Sequence, residues 1–282
     1  MPIRVVLVSS ATLWVALAAA ATASASSAAT ASRRTVSNLA LKAQGIRDDT
    51  ETSSNWAGYV VSGLNPTTPT TFTRVSARWV QPTASCTGLQ RTYSAFWVGL
   101  GGFSETSQAL EQIGTEADCS AAGKAKYAMW YELLPAASVP IKLKVFPGNA
   151  ITASVKVNST KVTLQIKNLT RKTTFTKTLR MSAPDLSSAE WVAEAPSTCT
   201  SAGRCAQLPL SNFGSLFFTS ASTTADAHMG TISDPAWTAT PIQLVPDADL
   251  QFISNGQGTS GAVPTALSAD GTSFRIDWQA AS

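Results

Sequence analysis

The strongest constraint on the fold is the alternation of apolar and polar residues in short runs after Glu51. The run VTLQIK, from Val162 to Lys167, has an apolar residue at every second position and Thr, Gln or Lys between them. No run keeps a helical period over more than about two turns. This pattern is typical of antiparallel sheets that have one buried face and one solvated face.

Strands are therefore predicted throughout the chain after residue 50, and no element is predicted between residues 226 and 249. The predicted strands are Asn55–Val61, Phe72–Val80, Ser94–Leu100, Ala109–Thr115, Lys124–Leu134, Pro140–Phe146, Ile151–Val157, Lys161–Asn168, Thr173–Leu179, Glu190–Ala195, Gly214–Thr219, Leu250–Ser254 and Ser273–Gln279. So many strands without helix-sized connections favour one all-β domain over residues 51–282. A β-sandwich of two large antiparallel sheets is expected.

The first 50 residues differ in composition from the rest. Residues 1–25 combine Arg4, an apolar stretch and a small-residue exit at Ala23 to Ala25. The apolar stretch is shorter than the roughly 20 residues that a bilayer requires, so a secretory signal peptide is predicted. Residues 26–50 are small and polar and read either as a pro-segment or as a disordered linker. A secreted, extracellular protein is expected, with no membrane association after signal cleavage.

The formal charge of +4 resides mostly in this leader. Five of the 21 Lys and Arg residues, but only two of the 17 acidic residues, precede Glu51. The remaining chain is near +1, so the overall charge does not support a nucleic-acid partner.

Four cysteines in a chain predicted to be exported indicate two disulfides. Cys199 and Cys205 enclose a short loop and are expected to pair, which leaves Cys86 for Cys119. Four cysteines allow three connectivities, and no Cys spacing suggests zinc.

The sequence excludes several kinds of catalytic chemistry. His228 is the single histidine, so paired-histidine zinc motifs are absent and no GxSxG motif accompanies a potential triad. Gly99, Gly101 and Gly102 follow a predicted strand, but no helix pattern opens after them, which argues against a dinucleotide fingerprint. No metal and no cofactor are predicted.

Carboxylate and amide side chains remain as candidate catalytic groups. Alternation places Glu132 beside Trp130 on one strand face, an arrangement that suits a cleft because an unpaired buried carboxylate costs several kcal/mol. Glu190 and Glu194 share a face but lie roughly 13 Å apart along their strand, too far for a dyad. A partner for Glu194 must come from a neighbouring strand, such as Glu132 or Gln112.

Several short motifs occur together in one order: NWAGY within Ser53–Val61, RWVQP (Arg78–Pro82), SAFWVGLGG, ALEQIGTEADC, YAMWYELLP, ITASVKVN, IKNLT, AEWVAEAP, and LPLSNFGSLFFT (Leu208–Thr219). In this order and spacing they resemble the glutamic peptidases, or eqolisins, over most of residues 51–219. The resemblance implies a concanavalin-like β-sandwich. It also implies an acid-active endopeptidase, expected to be a monomer, that acts on proteins or peptides.

The resemblance also implies roles for individual residues. Gln112 and Glu194 fall on the family's catalytic pair, and Trp56, Trp97 and Glu132 fall on residues of its substrate cleft. Two positions depart from the family pattern, since Ala128 and Gly101 stand where acids are frequent; these departures affect the surroundings of the pair.

Two alternatives remain open at the sequence level. A glycan hydrolase would use Glu132 and Glu194 as its two carboxyl groups, at a separation of roughly 5 to 9 Å. A carbohydrate-binding sandwich would present Trp97 and Trp130 as stacking platforms. Gln112 discriminates, because only the peptidase needs its amide to face Glu194 across a solvent-filled cleft.

Overall fold

The computed structural model describes residues 42–43, 50–65, 67–104, 106–199, 205–245 and 260–280; for residues 42, 43, 199, 205 and 206 only the backbone is described. Every regular element within these ranges is a β-strand. The prediction of an all-β fold is thereby confirmed. Of the residues described, none belongs to a helix long and apolar enough to cross a membrane.

The strands are numbered in chain order. They are β1 (Lys42–Ala43), β2 (Glu51–Ser53), β3 (Trp56–Gly63), β4 (Phe72–Val80), β5 (Ala95–Leu100), β6 (Glu111–Cys119), β7 (Ala125–Leu133), β8 (Val139–Ile141), β9 (Ala150–Asn158), β10 (Lys161–Asn168), β11 (Thr173–Arg180), β12 (Ser188–Glu194), β13 (Ser197–Cys199), β14 (Cys205–Gln207), β15 (Ser215–Ala225), β16 (His228–Gly230), β17 (Trp237–Leu244), β18 (Gly261–Pro264) and β19 (Phe274–Gln279).

Two antiparallel layers make up the sandwich. The first has the order β11-β10-β9-β4-β15, with β16 at the end of β15. The second has the order β17-β3-β12-β5-β6-β7-β8. Strands β19 and β18 connect the edge of the first layer to the edge of the second, so the hydrogen bonding is continuous. The pairing of β17 with β2 is parallel.

The main core lies between the two layers and is fixed by buried indoles. Trp79 on β4 donates its Nε1–H to Thr115 Oγ1 on β6 at 3.1 Å, and Trp191 on β12 donates to the Ser76 carbonyl on β4 at 3.0 Å. Each indole thus crosses the interface with its polar group paired, and burial of the ring carries no penalty for an unmade hydrogen bond.

A second apolar cluster covers the opposite face of the second layer, which we call the site face. Alternation separates the two clusters, because Trp191 packs into the main core while its neighbour Val192 packs on the site face. The buried members on the site face are Trp56, Val60, Ala95, Trp97, Leu110, Trp130, Leu134, Val192 and Ile242. Strands β3, β5, β6 and β12 are consequently buried on both faces, unlike an ordinary antiparallel sheet.

Most predicted strands are observed with ends displaced by a few residues. The prediction over Pro140–Phe146 is wrong beyond Ile141, where the strand ends. Strand β17 was not predicted, because Pro241 in its middle argues against a central strand. Its partner at Pro241 is β3, whereas β2 and β18 join only from Ile242 and Leu244 onward. The predicted strand Leu250–Ser254 lies outside the described residues.

The predicted disulfide between Cys86 and Cys119 is confirmed, with the two Cα atoms 5.3 Å apart. It ties the loop before β5 to the end of β6. Cys199 and Cys205 are paired in register as backbone partners of β13 and β14, but their side chains lie outside the described residues. The second disulfide therefore stays a prediction.

Removing the Cys86–Cys119 bridge is expected to cost about 3 to 4 kcal/mol of unfolding free energy, because it closes a loop with a sequence separation of 33. The measurement is urea unfolding of Cys86→Ala/Cys119→Ala against the wild type. A change below about 1 kcal/mol would contradict the expected contribution. Non-reducing peptide mapping that linked Cys86 to Cys199 would contradict the pairing itself.

Candidate active site

Gln112 and Glu132 form the first half of the site. They are register partners on the neighbouring strands β6 and β7, so their side chains leave the same face of the sheet. Gln112 Nε2 donates to Glu132 Oε2 at 2.8 Å. The hydrogen bond fixes the orientation of the amide, and one of its two N–H groups remains for another acceptor.

Glu194 and Trp97 form the second half. Glu194 ends β12, and Trp97 lies in the middle of β5 beside it. Trp97 Nε1 donates to Glu194 Oε2 at 2.8 Å. Trp56 packs edge-on against Trp97, with the ring centroids 5.0 Å apart. The carboxylate is therefore held by an indole donor whose ring is itself wedged against a second indole.

Two glycines make room for the Trp97 ring. A Cβ at Gly99 would lie 2.8 Å from Trp97 Cζ3, and a Cβ at Gly114 would lie 2.6 Å from Trp97 Cβ and 2.2 Å from the Phe96 carbonyl oxygen. Both contacts are closer than real Cβ atoms approach. The glycines of the WVGLGG and EQIG motifs thus permit the indole position that reaches Glu194.

Glu132 connects the two halves. Burial and, second to it, the negative charge of Glu194 raise the pKa of Glu132, the hydrogen bond from Gln112 lowers it, and the net result is a pKa of about 9. Glu132 is accordingly protonated at neutral and acid pH. Trp56, the register partner of Glu194, and Trp130, two residues before Glu132, both lie on the site face, so the two carboxyl groups share this face.

The site is more buried than the sequence indicated. A solvent-filled cleft was expected, but Gln112 and Glu132 are 0% exposed and Glu194 is 1% exposed. The expectation of solvent-facing groups is wrong because tryptophans and aliphatic side chains of the site face pack around the polar groups. Trp97 at 0% and Trp130 at 7% exposure also cannot serve as open stacking platforms for sugars.

Several buried polar atoms around the candidate residues have no hydrogen-bond partner among the described residues, among them Gln112 Oε1, Trp56 Nε1 and Trp130 Nε1. Leaving a buried donor or acceptor unpaired costs about 1–3 kcal/mol. Their position on the site face makes them candidates for binding a water or a peptide group.

A second group of carboxyls lies next to the pair and was not predicted as a site. Glu190 is the register partner of Gly99, which in turn faces Gln112. Asp185 precedes β12; its backbone N–H donates to Glu111 Oε1 at 3.3 Å, and its carboxylate accepts from the Ser107 hydroxyl.

The carboxyls of this group differ in protonation. Burial raises the pKa of Glu111 to about 9 and raises the pKa of Glu190 well above its ordinary value. Burial alone would raise the pKa of Asp185 too, but hydrogen bonds from Ser107, Ser187 and Gly102 outweigh it and lower that pKa. Asp185 is therefore the ionised member, while Glu111 and Glu190 stay neutral.

One sequence signal could have revealed Asp185. Gly101 stands where the glutamic peptidases frequently have an acid, and a Cβ at Gly101 would lie 2.5 Å from Asp185 Cβ. The Gly102 amide donates to Asp185 Oδ2 at 3.1 Å. A carboxylate thus occupies the space beside this turn, but it comes from a different part of the chain.

Other candidate residues lie elsewhere or form no site. His228 pairs with Asp234 at 2.9 Å on the surface, with a side-chain exposure of 54%. Within the described ranges, no group of three or more His, Cys, Asp or Glu side chains could hold a metal ion.

Comparison with known families assigns the chain to one of them. The model of the peptidase A4 family matches residues 54–254, more than two thirds of the chain. The chain belongs to this family. A comparison with curated protein sequences gives no match. Both halves of the site lie within the matched range.

Solved structures of similar fold include glutamic peptidases. Scytalido-glutamic peptidase, solved with a peptide-based transition-state analogue, is 25% identical, with a TM-score of 0.61 over 80% of this chain and 98% of that chain. SCP-B, an eqolisin solved with the tripeptide Ala-Ile-His, is 24% identical, with a TM-score of 0.58 over 80% and 98%. Aspergilloglutamic peptidase from Aspergillus niger is 23% identical, with a TM-score of 0.51 over 66% and 99%.

Family and fold together make this peptidase A4 member a glutamic-type peptidase, a hydrolase with peptide substrates. The sandwich of the solved glutamic peptidases confirms the expected β-sandwich. The alternatives of a glycan hydrolase and a carbohydrate-binding sandwich are not supported.

Proposed function

We propose that the chain is a secreted, acid-active endopeptidase in which Gln112 and Glu194 carry the reaction. The observation that carries this proposal is the hydrogen-bonded arrangement around Glu194. Glu194 is held by Trp97, and Gln112 is anchored by Glu132, whose ionisation is opposed by the negative charge of Glu194. The proposal needs one ionised carboxylate and one oriented amide, and both types of group are present.

In the proposed mechanism, Glu194 acts as the general base. Its carboxylate takes a proton from a water molecule while the water oxygen attacks the carbonyl carbon of the peptide bond. The remaining N–H of Gln112 Nε2 donates to the oxyanion of the tetrahedral intermediate. Glu194 then returns the proton to the leaving nitrogen, the C–N bond breaks, and the carboxylate is regenerated.

Glu132 has a positioning role in this proposal. A protonated carboxyl still accepts a hydrogen bond, so Glu132 orients the Gln112 amide without adding a second negative charge beside Glu194. In this proposal the two carboxyl groups have different protonation states, with Glu132 neutral and Glu194 ionised. Their different surroundings assign them different roles, as in other enzymes with two carboxyl groups. Substrate contacts of Trp56 and Trp97, inferred from the family resemblance, fit the unpaired Trp56 donor.

Activity in acid is supported by the protonation of the surrounding carboxyls. Glu111, Glu132 and Glu190 all have pKa values raised by burial, so acid pH removes no charge from them. The base itself must remain ionised, so hydrolysis is expected to decline at pH values low enough to protonate Glu194.

The test is digestion of a denatured protein from strongly acid to neutral pH, with pepstatin and a chelator as controls. Cleavage in acid that neither control suppresses supports the proposal. Loss of activity with the chelator, or activity confined to neutral pH, would contradict it.

The Trp97→Phe variant is expected to lose about 10- to 100-fold in kcat. The substitution keeps a ring beside Trp56 but removes the Nε1–H that donates to Glu194, a hydrogen bond to a charged group worth about 1.5–3 kcal/mol. The measurement is the pH profile of kcat. A profile and rate equal to the wild type would exclude a role for this hydrogen bond.

Residues 1–25 and 26–50, proposed as signal peptide and inhibitory pro-segment, lie almost wholly outside the described residues. The leader cations Arg33, Arg34, Lys42 and Arg47 suit the negative charge that the mechanism assigns to Glu194, and protonation of this carboxylate in acid would weaken the pairing. Protein with residues 26–50 intact is expected to be less active than a trimmed form and to shorten itself in acid. Equal activity of the two forms, with no shortening of the intact protein in acid, would contradict the inhibitory role.

A further inference from the structure

The outer face of the first layer is strongly basic. Strands β4, β9, β10, β11 and β15 contain seven Lys and Arg residues and no Asp or Glu. Alternation and register place six of the seven cations on the outer face, which we call the basic face: Arg74, Arg78, Lys156, Lys161, Lys167 and Arg180.

This concentration is not a consequence of the overall composition. After residue 50 the chain has sixteen Lys and Arg against fifteen Asp and Glu. With seven cations in these five strands, the rest of that region has nine cations against fifteen acids. The chain is thus nearly neutral after residue 50, but the strands of its first layer carry only positively charged side chains. Such a surface attracts anions over several ångströms.

Register arranges the basic face in rows. Arg74 lies directly opposite Lys156, and four residues along β4, Arg78 lies in a row with Thr152 and Lys167. The two rows are about 13 Å apart along the strands.

Between the cationic rows lies a row of hydroxyl and amide groups from Ser76, Ser154 and Gln165. A shallow pocket of about 270 Å³ covers this region, and ten residues line it without one acid or one aromatic ring.

The cations are available to a ligand. Arg74, Arg78, Lys156 and Lys167 form no salt bridge with any residue that the structure describes. Both arginines and Lys156 are exposed, and Lys167 is half-buried. Guanidinium groups match the oxygens of sulfate, phosphate and carboxylate in two-pronged hydrogen bonds.

We propose that the basic face binds a linear polysaccharide that carries sulfate or phosphodiester groups. The cationic rows pair with the anionic groups, and the intervening Ser, Thr and Gln side chains pair with sugar hydroxyls. Strong-acid groups are specified because they keep their charge at the acid pH proposed for the enzyme, whereas carboxylates with pKa values near 4 lose it.

Nucleic acid fits this face less well. Single strands are bound by stacking bases on aromatic rings, and the pocket has none. Readout of a duplex requires a helix or β-ribbon that enters a groove, and a sheet face does not supply one. The basic face is also the outer side of the layer opposite the site face, so a bound polymer would leave the site accessible.

The experiment measures binding of fluorescent dextran sulfate to the full chain at pH 5 over a series of salt concentrations. The test variant is Arg74→Gln/Arg78→Gln/Lys167→Gln. The matched control, Arg91→Gln/Lys124→Gln/Lys126→Gln, removes three exposed cations near the turn between β6 and β7. Thermal midpoints and peptide hydrolysis are measured on all proteins, since neither substitution set touches the site.

The test variant is expected to bind at least about tenfold more weakly. Its slope of log K against log salt should be smaller by about 2, as for three lost ionic contacts. The control should retain wild-type affinity within about twofold.

Three outcomes would overturn the proposal: no binding by the wild type, an equal loss in the control, or tighter binding of DNA than of dextran sulfate. At pH 3, where carboxyl groups with pKa values near 4 are mostly neutral, polygalacturonate bound as tightly as dextran sulfate would also contradict the preference for strong acids. Because the readout is binding, its failure is distinct from any failure of the peptidase proposal.

Discussion

The Glu194→Gln variant is expected to lose about 10²- to 10⁴-fold in kcat, the usual contribution of a general base. Glutamine has the shape of the carboxylate and still accepts the Trp97 hydrogen bond, so the variant should fold. It cannot take a proton from water. The measurement is the rate of hydrolysis of a peptide substrate in acid. An unchanged thermal midpoint shows that the variant is folded.

The Gln112→Ala variant is expected to lose about 10²- to 10³-fold, because removal of one oxyanion donor costs about 3 to 4 kcal/mol in other hydrolases. Burial adds a second effect. Alanine leaves Glu132 without its amide partner, so a stability cost of about 1–3 kcal/mol is expected as well. Rates must therefore be compared at a temperature where both proteins are folded.

Two matched controls accompany these variants. His228→Ala should retain full activity, because the imidazole pairs with Asp234 on the surface. Glu111→Gln should also remain active in acid, since it replaces a protonated carboxyl by an amide of the same shape. Should Gln112→Ala keep more than roughly a tenth of wild-type turnover, a loss under about 1.4 kcal/mol, the amide would not be the oxyanion partner.

Much of the fold could be predicted from the sequence because alternation has one physical cause. A period of two puts a strand's apolar side chains against a core, and β10 shows the expected faces residue by residue. The same rule placed Glu132 beside Trp130 on one strand face, and the observed pairing of β6 with β7 brings Gln112 into contact with Glu132.

The rest depended on contacts that no local pattern contains. Burial of Glu194 comes from packing among residues on different strands, such as Trp56 and Trp97, which lie far apart in sequence. Asp185 sits in a segment without periodicity, and only the packing of the turn at Gly101 reveals why an acid belongs there. Strand β17 shows the same limit, since Pro241 is tolerated only because its neighbours leave that edge unpaired.

The second large effect is expected in the pH dependence of stability. Burial raises the pKa values of Glu111 and Glu132 from the ordinary 4.5 to about 9. Between these values the folded protein holds protons that the unfolded chain has released, so the free energy of unfolding falls as the pH rises. Between about pH 5 and 9, each group lowers the free energy of unfolding by up to about 1.4 kcal/mol per pH unit. Below about pH 4.5 its stabilising contribution is complete and no longer changes with pH.

Asp185 acts in the opposite direction. Its hydrogen bonds lower its pKa, so its contribution is present above its ordinary pKa value and is lost as the pH falls through the folded value. The fold should therefore be most stable in weak acid and should weaken steeply toward alkaline pH. The total stability of a domain is only about 5–15 kcal/mol, so a change of several kcal/mol is a large share of it.

Urea unfolding at pH 4.5, 6, 7.5 and 9 tests this expectation in the wild type and in Glu111→Gln. The glutamine oxygen can still accept the hydrogen bond from the Asp185 N–H, but the amide does not titrate. The variant should therefore lose the part of the decrease in unfolding free energy with pH that Glu111 causes. It should match the wild type at pH 4.5 and exceed it by several kcal/mol at pH 7.5, about 1.4 kcal/mol for each pH unit. Glu116→Gln, the same substitution at a partly exposed position on the same strand, is measured beside it as the matched control. A wild-type stability that is constant or rises from pH 5 to 9 would show that Glu111 and Glu132 are not buried as neutral acids, and the acid adaptation proposed for this site would lose its basis.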